Sequence, residues 1–124
     1  MVQPAFTTSS GSDLIATEND LMCNFYPEDT GLEGLIINAM AQGGMRHGPR
    51  LKVAVRTGKL GSNPFDAVVA ISAQPFVKEG VLSATDERRV FAFIVENLDV
   101  LMGIWDESVR CTQAPQLFRR PSPR

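Results

Sequence analysis

The amino-acid sequence predicts an α+β domain: a small antiparallel sheet of two to three strands packed against a long C-terminal helix, with one or two N-terminal helices. Three observations predict it. Residues 50–57 alternate between polar and apolar, the period of a half-buried strand. Residues 66–72 (DAVVAIS) form an apolar, β-branched run after a turn rich in Gly, Asn and Pro. Residues 86–107 then carry apolar side chains at helical spacing.

Taken in order, residues 1–12 (MVQPAFTTSSGS) are small and polar and read as a flexible tail. From Asp13 to Tyr26, residues Leu14, Ile15, Leu21, Met22 and Phe25 fit one face of a short helix, and Pro27-Glu28-Asp29 turns the chain. Thr30-Gly31-Leu32-Glu33 has the form of a capping box, in which Thr caps a helix start and Glu reaches back. Leu32, Leu35, Ile36 and Met40 follow at helical spacing, and Gly43-Gly44 supplies a stop, so a second helix is expected over about 31–42.

In the first strand Leu51, Val53 and Val55 point one way, and Arg50, Lys52, Ala54 and Arg56 the other. The second strand, Asp66 to Ser72, is apolar on both faces and belongs deeper in the sheet. The two read as a hairpin. Gln74 to Val77 offers a short third strand, with Pro75 confining it to an edge or a strand start. Ser83 or Thr85 caps the last helix, where Asp86 and Glu87 suit its positive end. Val90, Ile94, Leu98, Leu101 and Trp105 form its main stripe; Phe91, Val95 and Met102 widen it. A helix apolar over so much of its circumference either runs through the core or pairs with a second copy. Residues 112–124 (TQAPQLFRRPSPR) read as a flexible, basic, Pro-rich tail, which leaves 13–111 as one domain. The expected core is Leu51, Val53, Val55, Val69, Ile71, Ile94, Leu98, Leu101 and Trp105.

Charge is segregated along the chain. Residues 1–33 hold six acids and no Lys or Arg, whereas residues 34–65 hold five bases and no acid. The net charge of −2 therefore hides a basic middle, which also contains the single histidine, His47. Such a segment is where an anionic partner docks. A near-neutral total with pI near 5.3 argues against a dedicated nucleic-acid binder, though not against a local basic face.

The candidate binding residues are Arg46, His47, Arg50, Lys52, Arg56 and Lys59. Alternation sets Arg50, Lys52 and Arg56 on one face, about 7 Å apart for neighbours two positions on. The other three flank the strand. The row suits phosphates or a carboxylate-rich protein surface. It lacks the interleaved aromatics on which single-stranded nucleic acids stack. The plain alternative is a solvated face, or one paired with the acids Asp86, Glu87, Glu96 and Asp99 of the last helix.

Catalytic and cofactor chemistry have little to stand on. His47 could act as a general base with Arg50 or Arg56 stabilising charge, as in a small toxin-like ribonuclease. No second histidine exists to act as the paired acid, and Tyr26 is the sole tyrosine. Neither GxxxxGK[ST] nor GxGxxG occurs, so no nucleotide cofactor is expected. Two cysteines without a CxxC pair, beside one histidine, make a zinc site unexpected. Spacing leaves a Cys23–Cys111 disulfide open, but two free thiols in a cytoplasmic protein are expected, since the N-terminus has no secretory character and no stretch approaches the roughly 18 apolar residues that span a bilayer.

Residues 45–107 also carry a composite pattern. His47-Gly48-Pro49 leads into a strand, a hairpin follows, Pro75 and Gly80 bracket four residues, and Asn97, Leu101 and Trp105 recur every fourth position. This resembles a family of small uncharacterised bacterial α+β proteins, often encoded near toxin–antitoxin-like genes. The family has two more histidines in the strand, where this chain has Arg50 and Lys52. The resemblance implies the fold, and leaves a histidine-based metal or acid–base role without its residues.

The expected function is a non-enzymatic binding or regulatory module, such as an inhibitor encoded by a phage or mobile element. It would engage an anionic macromolecule, nucleic acid or acidic protein, through the basic strand, with no membrane association. The alternatives are the ribonuclease built on His47 and a homodimeric assembly protein built on helix 86–105.

Overall fold

The computed structural model describes residues 22–42, 48–56 and 65–120. Among them, five strands form one antiparallel sheet in chain order: β1 (Met22–Phe25), β2 (Leu35–Met40), β3 (Arg50–Val55), β4 (Ala67–Ala70) and β5 (Val77–Gly80). Four helices accompany them: α1 (Pro27–Thr30), α2 (Ala84–Glu96), α3 (Leu98–Trp105) and α4 (Ala114–Leu117). The fold is α+β, as the sequence implied, but the sheet is larger than the two to three strands expected.

The extra strands stand where the described parts of the two expected N-terminal helices fall; residues 13–21 of the first lie outside the described residues. Met22–Phe25 pairs with β2, so the described end of the first helix is a strand. The second helix fails at its start. Gly31, at φ 81°, closes α1 in the left-handed conformation instead of opening a helix, and its N–H donates to the Pro27 carbonyl at 2.7 Å. The Thr30 hydroxyl, read as an N-cap, accepts from the Leu32 N–H two residues on, so it caps nothing. Leu35–Met40 then runs as β2 with all six residues buried. A strand covered on both faces has no alternation to read, and its apolar run mimics a helix.

The β3–β4 hairpin matches the expected pair. β5 begins at Val77 and not at Gln74, because Pro75 precedes the ladder that opens with the Ala70 N–H donating to the Phe76 carbonyl. A bulge between Val68 and Val69 shifts the β4–β5 register. Gly80, at φ 80°, closes β5 where a Cβ would overlap the Asp66 carbonyl oxygen.

Helix α2 starts on Ser83, whose hydroxyl accepts from the Asp86 N–H at 3.1 Å. The single long helix expected over 86–107 is two helices, broken at Asn97 (φ −119°). The cause is a distant partner. The fully buried Asn97 amide donates to the carbonyls of Phe93 (3.0 Å) and Arg119 (3.1 Å) and accepts from the Arg119 N–H at 2.6 Å.

The core lies between the helices and one face of the sheet. Leu35, Ile37, Leu51, Val53 and Val69 meet Val90, Phe93, Ile94, Leu101 and Ile104. These contacts use most of the apolar stripe that could have served a second copy; Val95 stays exposed. Of the expected core, Leu51, Val53, Val69, Ile71, Ile94, Leu101 and Trp105 are buried, Leu98 is half-buried, and Val55 is 44% exposed at the end of its strand.

Residues 112–120, expected within a flexible tail, are folded onto the domain. Ala114 and Phe118 enter the core, and the Phe118 ring stands edge-on to Phe25 (5.0 Å) and Phe93 (5.1 Å). The Arg119 guanidinium makes a bidentate pair with Asp99, both bonds 2.8 Å, and Arg120 donates to the Glu28 carbonyl. Cys23 on β1 is disulfide-bonded to Cys111, in place of the two free thiols expected. The return of this strap to β1 creates the pairing, with the two Cα atoms 5.4 Å apart.

Candidate functional site

Alternation along β3 places Arg50, Lys52 and Ala54 on the second face of the sheet, opposite the one that packs on α2 and α3, with Arg56 just past the strand's end. β3 is the middle strand, so these cations stand at the centre of that face. The pairing registers align Asn24, Asn38, Lys52, Val68 and Glu79 in one row across all five strands. Arg50 lies in the next row beside Ala70. The face is not a simple solvated surface. Ile36 and Ala54 are 0% exposed and Asn38 is 3% exposed, while Arg50 and Lys52 are half-buried.

The three described cations differ in their surroundings. Arg56 is neutralised: its guanidinium lies 3.3 Å from the Asp66 carboxylate, which also accepts from the Val55 N–H at 2.8 Å. The Lys52 ammonium lies 5.6 Å from the centre of the Phe65 ring, an attraction that orients it without cancelling its charge. Arg50 has no carboxylate partner among the described residues, and its Nε is buried without a hydrogen bond. Arg46, His47 and Lys59 lie outside the described residues.

Two of the four acids proposed as internal partners, Asp86 and Asp99, are engaged elsewhere. Asp86 pairs with Arg89 at 3.0 Å and Asp99 with Arg119 at 2.8 Å. The bonds from Arg119 hold the Asp99 carboxyl down to about 2 and raise the guanidinium in turn. That pair anchors the C-terminal strap; it does not build a reaction site.

Sequence reasoning missed Asn38 and Asn24. The Asn38 amide donates from Nδ2 to Asn24 Oδ1 at 2.9 Å, beside Lys52. A lone Asn inside the run Leu-Ile-Ile-Asn-Ala-Met was the available signal, since an amide buried in a strand needs partners.

Among the described residues, no group of three or more His, Cys, Asp or Glu is placed to hold a metal ion, and no helix is long and apolar enough to cross a membrane. No protein-family model, no curated protein and no solved structure matches this chain.

Proposed function

We propose that this chain is a non-enzymatic binding module that holds an anionic partner on the second face of its sheet. One observation carries the reading. Arg50 and Lys52 sit two positions apart on the central strand and form no ion pair among the described residues, whereas Arg56 is already paired. Two half-buried cations at the middle of a sheet face favour a negative group there. The flanking cations Arg46, His47 and Lys59 belong to the same acid-free stretch of sequence and would extend the field. The cytoplasm was the expected compartment. The Cys23–Cys111 disulfide supports an oxidising one instead.

The test compares wild type with Arg50→Ala/Lys52→Ala in binding short DNA and RNA oligonucleotides and an acidic peptide across a salt titration. Binding at low salt that weakens steeply with ionic strength, and falls at least about tenfold in the variant, is expected for two lost charge contacts. Unchanged binding in the variant, or none to any anion at low salt, would remove the proposal. Breakdown of RNA in the same tubes would shift it to the ribonuclease reading built on His47.

A further inference from the structure

Three buried polar side-chain atoms among the described residues lack a hydrogen-bond partner: Asn38 Oδ1, Arg50 Nε and Arg56 Nε. Asn38 and Arg50 belong to the second face of β2 and β3. Asn38 stands directly across from Lys52, Arg50 lies two residues before Lys52 on β3, and Arg56 follows the strand's last residue at its far end. A buried donor or acceptor left unmade costs about 1–3 kcal/mol, and native proteins leave few of them. Two of the three, Asn38 Oδ1 and Arg50 Nε, adjoin one lysine, Lys52, and that is the pattern of a site built for something that completes it.

The unmet groups define their complement. Arg50 offers an N–H, and Lys52 adds a positive charge. The Asn38 amide is anchored through Nδ2 on Asn24, which leaves its oxygen as an acceptor. Arg56 is likewise steadied by Asp66. The complement is therefore an anion with a hydrogen-bond donor close to it. We infer that this patch binds a carboxylate with a neighbouring N–H, the grouping shared by a polypeptide C-terminus and a free amino acid. The carboxylate accepts from Arg50 Nε and Lys52, and the N–H donates to Asn38 Oδ1. A nucleotide fits less well: Phe65 is taken up by Lys52, and one cation of the row is spent on Asp66.

This inference rests on the reading that Arg50 and Lys52 engage an anion, and the experiment separates the two. Calorimetric titrations would use the whole chain with four probes: N-acetyl-trialanine bearing a free carboxylate, the same peptide as its C-terminal amide, L-alanine, and a short oligothymidylate. The free-acid peptide or L-alanine should bind at least about tenfold tighter than the amide, the equivalent of one lost charge-assisted bond. The tighter of the two identifies the source. Arg50→Lys keeps the charge and removes the Nε donor, so carboxylate binding should fall about tenfold while weak, salt-sensitive oligothymidylate binding persists. Equal binding of acid and amide by wild type, which needs no variant to fold, overturns the built site. So does an Arg50→Lys protein that binds the carboxylate as wild type does. Either result leaves the charged face standing if oligothymidylate still binds. Absence of binding to every anion at low salt overturns both.

Discussion

Replacing Asn97 with Leu should loosen the C-terminal strap and destabilise the whole domain. The two side chains have similar volume, so the fully buried site is left without a cavity. What is lost is three hydrogen bonds, to the Phe93 carbonyl and to both polar groups of the Arg119 backbone. At about 0.5–1.5 kcal/mol each, with the Arg119 N–H left in a half-buried place, the loss comes to about 2–4 kcal/mol. The better helix propensity of Leu returns only about 0.5 kcal/mol. With an m-value of roughly 2 kcal/mol/M, the urea midpoint should fall by about 1–2 M. Trp105, the single tryptophan and a buried one, reports the transition by fluorescence. Trypsin adds a local readout, because the bond after Arg119 should be cut faster once the grip is gone, whereas Arg120 precedes Pro121 and resists the enzyme. A midpoint within about 0.3 M of wild type, together with unchanged cleavage, would refute the assignment of the strap to the Asn97 amide.

Two further outcomes follow from the same region. Reducing the Cys23–Cys111 bridge reopens a loop of sequence separation 88. Chain entropy assigns that closure about 4–5 kcal/mol, so the reduced protein should unfold at clearly lower urea, and equal midpoints would remove the bridge from the account. Asp99 is held at about 2 by Arg119 against an ordinary 3.8. The unfolded chain therefore takes up this proton first, and the pair's contribution is complete above the ordinary value and lost as pH falls towards 2. Wild type should lose stability through that window more steeply than Asp99→Asn; parallel curves for the two proteins would exclude the pair as a contributor.

Legibility in the sequence followed burial geometry. β3 has one face in the core, so its alternation showed both the strand and the side on which Arg50 and Lys52 stand. β4 was readable as a β-branched run beside a turn. β2 was not: both of its faces are covered, its six apolar and amide positions carry no period of two, and Leu32, Leu35, Ile36 and Met40 happen to fall at helical spacing. Misreading β2 hid Asn38, because an amide on a helix face carries none of the cross-strand meaning it has opposite Lys52. The break at Asn97 depends on Arg119, and the neutralisation of Arg56 depends on Asp66 just before β4. Neither partner is visible to a rule that looks only a few residues along the chain. The strap was read as a tail for its prolines and arginines, although Phe118 was the residue that anchors it in the core.

The sheet runs in chain order, so every strand pairs with the one made just before it. Such ladders can zip up as the chain lengthens, at the small entropic cost of short loops. The seam that joins the two ends is of another kind. Cys23 meets Cys111, Phe25 meets Phe118 and Glu28 meets Arg120, and none of these pairs can form until the chain has been made through the strap, long after the sheet. The molecule is thus a zipper finished by a clasp. A new opening cut in a loop elsewhere, with the strap joined to β1 by a linker, would turn that late clasp into an early local contact. Folding order could then be reversed with every native contact kept.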